Sequence, residues 1–537
     1  MDCSMAAIVF QTNKNTGITY AYESVSYWDK EKQQSRARRK LIGKVDQETG
    51  EIVPTRKSRP PEKTDSPKRR GAKTTDVCTR TFYGATYLLN AIGDRIGITQ
   101  DLKTCFPDTY KQILSLAYYM ILEEGSPLYR FPKWASLHHH PYGKEISSQR
   151  SSELFQSISE EDKQHFFRRQ GKRRCETEYL AYDTTSISSF SNTLRKVKYG
   201  KNKEHDPLPQ INLALLFGEQ SMLPVCYRLL PGNIADVKTI ENLLKELDFL
   251  DIQKLNLVMD RGFYSESNIN ELFKNHHKFL IGAKLSLNLV KAHLDKSRGV
   301  MVTRSHYSSK YSIYYDTIMT TWNYTELKKR SGEVMKEKRR IYLHLYYNDA
   351  RAAEEREAFN RMLDELEYEL VNKKRKPEHE KAYRNYFITH ETPKRGISTE
   401  AKQDSIDEAE KNFGYFALLT NGINDPLYAL EVYRSKDLVE KAFGNLKERL
   451  NMRRNYVSSE ESLEGKVFVQ FIALIYLSYT QRAMSNHNLF KKFTIQSLLD
   501  EIDVIEKYDV PGHRSHISEL TGKQKELYQC LGVEYPT

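Results

Sequence analysis

The spacing of apolar residues changes several times along the chain and divides it into regions of different predicted structure. Residues 1–53 contain short β-prone runs, one of them at 18–22, and predict a β-rich region. Residues 54–76 are rich in proline and basic residues and predict an extended linker, which fits a solvated tether and a DNA-tracking arm equally well. Residues 77–175 place apolar side chains three and four positions apart, which predicts a helical region. We interpret this region as DNA-binding, although the pattern fits a plain helical bundle equally well.

The middle of the chain has the pattern of an α/β domain. Residues 176–290 follow the order β-β-β-α-β-α-β, which predicts a mixed five-stranded sheet with helices packed against it. Residues 291–415 break this pattern with β-prone segments and a long charged helix, and predict an insertion. The pattern returns in 416–490, and residues 491–537 predict a C-terminal helical tail. The predicted fold class is therefore α/β, with a sheet-containing core split by a β-rich plus helical insertion.

Composition narrows the class of protein. In 537 residues, 39% are hydrophobic and 29% are charged, which allows buried cores and excludes a disordered chain. Lys and Arg number 83 against 71 Asp and Glu, a net charge of +12 that weakly favours a polyanionic partner. The surplus is uneven, because residues 1–75 hold 16 Lys and Arg against nine Asp and Glu. The six cysteines form no C-x-x-C pair, which excludes a disulfide scaffold and a cysteine zinc site.

Two further segments bear on the cellular location of the protein and on metal binding. The most apolar run, 467–479, is shorter than the ~18–20 residues of a membrane span, and Gln470 interrupts it. It therefore predicts a buried core helix. Because the N-terminus also lacks a secretory pattern, we expect a cytoplasmic protein with no membrane partner. The run His138-His139-His140 precedes Pro141 and Gly143 and indicates a loop rather than a metal site.

Two aspartates follow apolar strands of the predicted sheet. Asp183 ends a strand predicted at 179–182, and Asp260 ends a strand predicted at 255–259, where Gly262 allows a sharp turn. Strand ends in open α/β sheets are places where sites form, and a carboxylate there needs a cation or hydrogen-bond donors. The alternative is that each aspartate caps the turn or helix that follows it.

A third carboxylate lies in a predicted helix downstream. At helical spacing, Tyr433, Lys436, Glu440 and Lys447 share one face, so a carboxylate lies between an aromatic ring and two cations. Read alone, the segment fits a surface helix with a Lys436–Glu440 pair. Together with Asp183 and Asp260, however, Glu440 completes an Asp–Asp–Glu set. Such a set can hold a pair of Mg²⁺ ions beside a phosphodiester.

With these residues the sequence resembles the DDE transposases of bacterial insertion sequences, in the branch with a Tyr-Arg-Glu-Lys signature. The signature reads Tyr, two residues, Arg, three residues, Glu, six residues, Lys. This chain matches it at Tyr433, Glu440 and Lys447, and departs from it at the Arg position, which is Lys436. Arg434 and Lys436 are both candidates for the role of that arginine. The YDTT and MDRGFYS segments resemble the two aspartate motifs of the family, and the resemblance spans most of the chain.

The resemblance implies an RNase H-like catalytic core, split by the insertion, that acts as an enzyme. It implies two Mg²⁺ ions, for which Mn²⁺ can substitute, held by Asp183, Asp260 and Glu440. These would cut DNA at the element's end and release a 3′-hydroxyl that attacks target DNA. The implied DNA-binding residues are those beside the carboxylates: Tyr433, Arg434, Lys436, Lys447 and Arg261.

The same resemblance implies partners and a location. The partners are double-stranded DNA, both terminal inverted repeats and target, and a second copy of the chain when DNA is bound. The location is the bacterial cytoplasm, at the nucleoid. Trp322, the one tryptophan of the insertion, is a candidate to stack a flipped base, although a packing role in a strand is the alternative.

Two other functions remain open from the sequence. One is a nuclease of the same fold that cuts DNA without strand transfer. The other is a domesticated DNA-binding protein that has lost catalysis. The presence of all three carboxylates argues against the second, and the predicted flanking DNA-binding regions argue against the first.

Overall fold

A computed structural model describes residues 6–29, 32–55, 78–174, 178–191, 193–203, 206–249, 255–327, 334–392, 396–455, 457, 459–510 and 513–537. Most of the linker predicted at 54–76 lies outside these residues. The chain forms two compact units, residues 1–76 and 77–537. The division into seven regions made from the sequence stays a prediction.

The first unit is a four-stranded antiparallel sheet in the order β1-β2-β3-β4. Its strands are β1 (Ala6–Thr12), β2 (Thr19–Asp29), β3 (Gln34–Val45) and β4 (Ile52–Val53). Between β2 and β3 the register shifts at Ala21/Tyr22, which marks a β-bulge.

The second unit begins with a short strand and six helices. These are β5 (Thr79–Phe82), α1 (Gly84–Arg95), α2 (Ile98–Cys105), α3 (Tyr110–Leu122), α4 (Phe131–Leu137), α5 (Ser148–Ser157) and α6 (Glu160–Arg174). The histidine run follows α4 and serves packing. His138 stacks on Trp134 and lies 2.9 Å from Asp503, and the His140 ring contacts the Ser115 hydroxyl.

A mixed sheet follows, in the predicted order of elements. Its elements are β6 (Tyr179–Ser189), β7 (Gln210–Gly218), β8 (Pro224–Pro231), α7 (Asp236–Phe249), β9 (Asn256–Met259), α8 (Glu266–Lys274) and β10 (Lys278–Ala283). The strands lie in the order β10-β9-β6-β7-β8. Strand β9 is parallel to both neighbours, and β6, β7 and β8 are antiparallel. Three consecutive strands, followed by helices that alternate with the last two strands, are the order that the hydrophobic pattern predicts.

The predicted insertion does not stand apart from this sheet. It contains α9 (Asn288–Met301), β11 (Tyr307–Ser308), β12 (Ile313–Leu327), β13 (Val334–Tyr347), α10 (Asp349–Val371), α11 (Glu380–Tyr386), β14 (Phe387–Thr392), β15 (Gly396–Ala401) and α12 (Gln403–Glu410), and it is followed by β16 (Tyr415–Thr420), the strand at which the predicted core resumes. Strand β16 pairs with β10, and β13 pairs with β16. The expected five-stranded sheet is therefore part of a ten-stranded sheet, because the long β12–β13 hairpin continues its edge.

The last part of the chain supports both the sheet and the first helices. It contains α13 (Pro426–Arg434), α14 (Asp437–Gly444), a π-helical segment at Asn445–Arg449, β17 (Arg454–Asn455), α15 (Glu460–Asn486), α16 (Ile495–Asp503), β18 (Glu506–Asp509), β19 (His516–Ile517) and α17 (Gly522–Cys530). Helix α15 is the predicted buried helix, with 467–479 wholly buried. Strand β18 pairs with β5, and the Tyr528 hydroxyl donates to the Gly84 carbonyl. Within the described residues, no helix is long and apolar enough to cross a membrane.

Candidate active site

The register of β6 and β9 brings the two aspartates to the same level of the sheet. Tyr182 and Met259 are register partners in this parallel pair, and Asp183 and Asp260 are the residues that follow them. Asp260 lies at the end of its strand, as predicted. The prediction that Asp183 also ends a strand is wrong, because β6 remains paired with β7 as far as Ser188. Asp183 instead lies where β6 loses its parallel neighbour.

Asp183 is partly buried, and both polar contacts described here involve the same carboxylate oxygen. Its Oδ1 accepts a hydrogen bond of 2.7 Å from the Thr184 amide and lies 3.5 Å from the Lys203 ammonium. Burial raises the pKa of Asp183, although Lys203 and the Thr184 amide oppose the shift. A cation that approached this carboxylate would relieve the cost of its burial.

Asp260 has stronger donors. Its Oδ1 accepts a 2.7 Å hydrogen bond from the Tyr433 hydroxyl and lies 3.4 Å from the Lys436 ammonium. Burial acts to raise the pKa of Asp260, but these two partners outweigh burial and hold the pKa below its usual value. Asp260 is therefore ionised at neutral pH.

A glycine makes the contact between Tyr433 and Asp260 possible. A Cβ atom at Gly282 in β10 would lie 2.8 Å from the Tyr433 hydroxyl and 3.0 Å from the Arg261 amide. A side chain at this position would therefore displace the tyrosine or the turn that follows Asp260. The close approach of α13 to this strand depends on the missing Cβ.

The segment that carries Glu440 is not the single helix predicted from spacing. It is divided into α13, α14 and the π-helical segment, with breaks at Ser435–Lys436 and after Gly444. Sequence spacing cannot distinguish a continuous helix from one interrupted by turns of nearly the same pitch. π-helical turns occur frequently at functional sites.

Lys436 connects Glu440 to Asp260. Its ammonium lies 3.4 Å from the Asp260 carboxylate and 3.8 Å from the Glu440 carboxylate, whose side chain is 60% exposed. The charge of Lys436 also reaches Asp183, where it lowers the pKa. The i,i+4 pair expected of a surface helix is thus present, but its lysine also faces the two aspartates.

The predicted DNA-binding residues do not all lie together. Arg261, Tyr433 and Lys436 line one open cavity of about 580 Å³ beside Asp260. Arg434 points elsewhere, with its guanidinium 5.4 Å from the centre of the Tyr311 ring. Lys447 is buried, with 9% of its surface exposed, and its predicted contact with DNA stays a prediction.

Trp322 does not present its ring as a stacking platform. It is 8% exposed, and its indole N–H donates to Asn270 Oδ1 at 2.8 Å. The packing alternative is therefore correct, because the β12–β13 hairpin continues the sheet and places this side chain against α8.

Sequence reasoning missed Asp236 and Lys203. The Thr184 hydroxyl donates to Asp236 Oδ1 at 2.6 Å, and Lys203 lies 3.4 Å from Asp236 Oδ2. Lys203 also donates to the Thr184 carbonyl at 2.6 Å. Asp236 thus fixes the residue after Asp183 and shares a lysine with it. The available signal was an aspartate opening an amphipathic helix, which ordinarily indicates a helix start.

The donor chemistry of the site fits a hard divalent cation. Asp183, Asp260 and Glu440 offer carboxylate oxygens, the ligands that Mg²⁺ prefers. Across the described residues, only Glu365, Glu369 and His379 bring three ligand atoms within 4.8 Å of one another. In that cluster Lys376 already bridges the two glutamates at 2.8 and 2.6 Å. Asp183, Asp260 and Glu440 do not come this close together, and the Lys436 ammonium lies within 3.8 Å of both Asp260 and Glu440.

Part of the chain is similar to proteins that are already known. A family model described as "Transposase DDE domain" matches residues 174–476, which include Asp183, Asp260 and Glu440. No curated protein matches the chain. A solved structure, described as "Cryo-EM structure of piggyBac transposase synaptic complex with hairpin DNA", is similar at 10% sequence identity and a TM-score of 0.32. The similarity covers 66% of this chain and 57% of that one.

Proposed function

The chain belongs to the transposase DDE domain family, and we propose that it is the transposase of a bacterial insertion sequence. In this proposal Asp183, Asp260 and Glu440 are the catalytic carboxylates of an RNase H-like core. The observation that carries the proposal is the register of β6 and β9, because Asp183 and Asp260 directly follow register partners on these neighbouring strands.

The three carboxylates would hold two Mg²⁺ ions, or Mn²⁺ in their place. When bound, the ions activate water and stabilise the leaving oxygen of a phosphodiester. Around them the chain's own residues have separate tasks. Tyr433 keeps Asp260 ionised and ready as a ligand, and Thr184, Asp236 and Lys203 hold Asp183 in place.

Lys436 would have two partners in turn. Without DNA its ammonium lies between Asp260 and Glu440. With Asp260 and Glu440 engaged as metal ligands, the Lys436 ammonium would be available to a DNA phosphate at the same cavity. This is the role we assign to the arginine position of the Tyr-Arg-Glu-Lys signature. A lysine there makes a point-charge contact rather than a bidentate one.

The reaction has two steps. Attack of water on the phosphorus at the element's end breaks the P–O3′ bond and leaves a 3′-hydroxyl and a 5′-phosphate. The 3′-hydroxyl then attacks a phosphodiester of the target, forming a new P–O3′ bond and releasing a target 3′-hydroxyl. A dimer that pairs two inverted repeats would carry out both steps at the nucleoid.

The test uses the full chain, Mg²⁺, and a labelled duplex of the element's end taken from the inverted repeats that flank its coding region. A supercoiled plasmid serves as target. We expect a cleaved end and a joined product, and neither product in EDTA. Cleavage without joining would favour the nuclease alternative, and specific binding without cleavage would favour a domesticated DNA-binding protein.

A further inference from the structure

Asp236 is an acidic residue of the site that the three proposed catalytic carboxylates do not include. It opens helix α7, where an acidic residue ordinarily caps the helix or interacts with the helix dipole. The polar contacts described for its carboxylate are different, because they are made with Thr184 and Lys203. The carboxylate of Asp236 therefore faces the site rather than the amides of its own helix.

The two oxygens of the Asp236 carboxylate have different surroundings. Oδ1 accepts a 2.6 Å hydrogen bond from the Thr184 hydroxyl, whereas Oδ2 lies 3.4 Å from the Lys203 ammonium. A Cβ atom at Gly262 would lie 3.7 Å from the same Oδ2, so this oxygen faces the turn that follows Asp260. Oδ2 thus lies between the segments that carry the two proposed catalytic aspartates.

A positive charge already lies between Asp183 and Asp236. The Lys203 ammonium is 3.5 Å from Asp183 Oδ1 and 3.4 Å from Asp236 Oδ2, and it donates to the Thr184 carbonyl at 2.6 Å. These three neighbours are oxygen atoms, which are the ligands that a hard cation such as Mg²⁺ prefers. The ammonium therefore marks a position where oxygens from two parts of the chain converge on one cation.

The second lysine of the site has a similar arrangement. The Lys436 ammonium lies 3.4 Å from Asp260 and 3.8 Å from Glu440. The site thus contains two pairs of carboxylates, each with one ammonium beside both of its members. Two divalent cations carry four positive charges, which four carboxylates balance in the absence of DNA and three do not.

We propose that Asp236 is a further ligand of the divalent cation bound at Asp183, and that Lys203 occupies the position of this cation when no cation is bound. Asp236 Oδ2 contacts the cation, while Oδ1 keeps its hydrogen bond with Thr184. The Lys203 ammonium moves away from the two carboxylates when they bind the cation. The inference rests on the proposed function, because it adds a fourth carboxylate to the cation site named there.

The alternative is a purely structural role, in which Asp236 only orients Thr184 and, through it, Asp183. Two substitutions separate the roles. Asp236→Asn keeps an oxygen that can accept the Thr184 hydrogen bond but removes the negative charge. Thr184→Val does the reverse, because it removes the hydroxyl and leaves the carboxylate of Asp236 in place.

The experiment measures Mn²⁺ binding to the full chain without DNA, by electron paramagnetic resonance of free Mn²⁺. For Asp236→Asn we expect the affinity to fall by roughly ten-fold or more, since it loses a group beside the bound metal. For Thr184→Val we expect a change of less than about three-fold. Asp404→Asn removes an exposed acid from the first turn of α12 and should bind like the wild type. Circular dichroism verifies that the variants fold.

Lys203→Met tests the second half of the proposal. Removal of the ammonium leaves the two oxygens available to the cation, so we expect Mn²⁺ to bind roughly ten-fold more tightly. Lys201→Met changes an exposed lysine of the same segment between β6 and β7, and it should bind like the wild type. Weaker binding by Lys203→Met would show that this lysine supports the site instead of occupying the cation position.

The outcomes separate this inference from the proposed function when Asp183→Asn is measured in parallel. If Asp183→Asn binds Mn²⁺ more weakly and Asp236→Asn binds like the wild type, Asp236 is not a ligand and the proposed catalytic site is unaffected. If Asp236→Asn and Thr184→Val lose affinity equally, Asp236 is a positioning residue only. If neither Asp183→Asn nor Asp236→Asn changes Mn²⁺ binding, both proposals fail.

Discussion

At the scale of single residues, the two aspartates of the site have opposite electrostatic environments. Burial raises the pKa of Asp183, whereas Tyr433 and Lys436 lower that of Asp260. The protein itself stabilises the charged form of Asp260. Burial disfavours the charged form of Asp183, so a bound cation would stabilise Asp183 more than Asp260. The burial of Asp183 thus has a cost that its protein partners offset only in part, and a bound cation would offset it further.

This cost predicts a pH-dependent gain in stability for Asp183→Asn in EDTA. Because folding raises the pKa of Asp183 above its usual 3.8, the wild type loses stability as pH rises through the folded pKa. The amide has no charge to bury, so the variant has the higher free energy of unfolding at neutral pH. The difference shrinks as the pH falls below 3.8, where Asp183 is protonated in both states. Urea unfolding at several pH values measures it.

A matched control for this measurement is Asp364→Asn, at an exposed position in the middle of α10. It should not change the free energy of unfolding by more than about 0.5 kcal/mol at any of these pH values. If Asp183→Asn is less stable than the wild type at neutral pH, the charged carboxylate of Asp183 does not destabilise the fold.

Lys436 predicts a second effect, on metal affinity. Its ammonium competes with a divalent cation for Asp260 and Glu440. Lys436→Met should therefore bind Mn²⁺ roughly ten-fold more tightly in the absence of DNA, since one unit charge near the site changes the interaction by about 1–2 kcal/mol. Electron paramagnetic resonance of free Mn²⁺ measures this affinity. Lys441→Met, exposed on the same helix, is the control, and equal affinities for both variants would refute the competition.

At the scale of elements, the buried helix α15 contacts the end of the interrupted segment that runs from α13 to the π-helical turn. The Gln470 amide donates to the Leu450 carbonyl at 2.7 Å, just after the π-helical segment. Gln470 is 2% exposed in an otherwise apolar stretch. The polar residue that interrupts the hydrophobic run in the sequence thus fixes the end of the segment that carries Glu440.

We expect Gln470→Leu to destabilise the protein by about 1–3 kcal/mol, because the Leu450 carbonyl loses its buried donor. The midpoint of urea unfolding measures this loss. Gln149→Leu on the surface of α5 should cost less than about 0.5 kcal/mol. Equal unfolding midpoints for wild type and Gln470→Leu would mean that α15 does not hold this segment through its glutamine.

The elements also show what a sequence can and cannot predict here. The order of strands and helices in 176–290 could be predicted from hydrophobic spacing. The location of Asp260 at a strand end could be predicted because this residue directly follows an apolar run. The continuation of β6 past Asp183 was not predictable, because it depends on pairing with β7, a long-range contact. The role of Asp236 was hidden for the same reason, since its partner Thr184 is 52 positions away in sequence. Lys447 is buried within the π-helical segment, and neither the segment nor the burial could be predicted from residue spacing.

At the scale of the whole molecule, both units carry a basic surplus. Residues 1–76 hold 16 Lys and Arg against ten Asp and Glu, and residues 77–537 hold 67 against 61, so each unit contributes +6 to the net charge of +12. In the unit of residues 77–537, the proposed catalytic carboxylates Asp183 and Asp260 lie beside Lys203 and Lys436. The unit that carries the proposed site therefore also has the cations that a polyanionic partner requires.

The central claim is that Asp183, Asp260 and Glu440 cut DNA, and Asp260→Asn tests it most directly. The measurement is the rate of Mg²⁺-dependent cleavage of the element's end by the full chain, together with its affinity for the same DNA. Asp260→Asn should cleave at least about a hundred-fold more slowly, since a metal ligand supplies several kcal/mol in the transition state. It should retain its DNA affinity. Asp437→Asn, an exposed acid on the helix of Glu440, should cleave like the wild type. Cleavage by Asp260→Asn at the wild-type rate would contradict the claim.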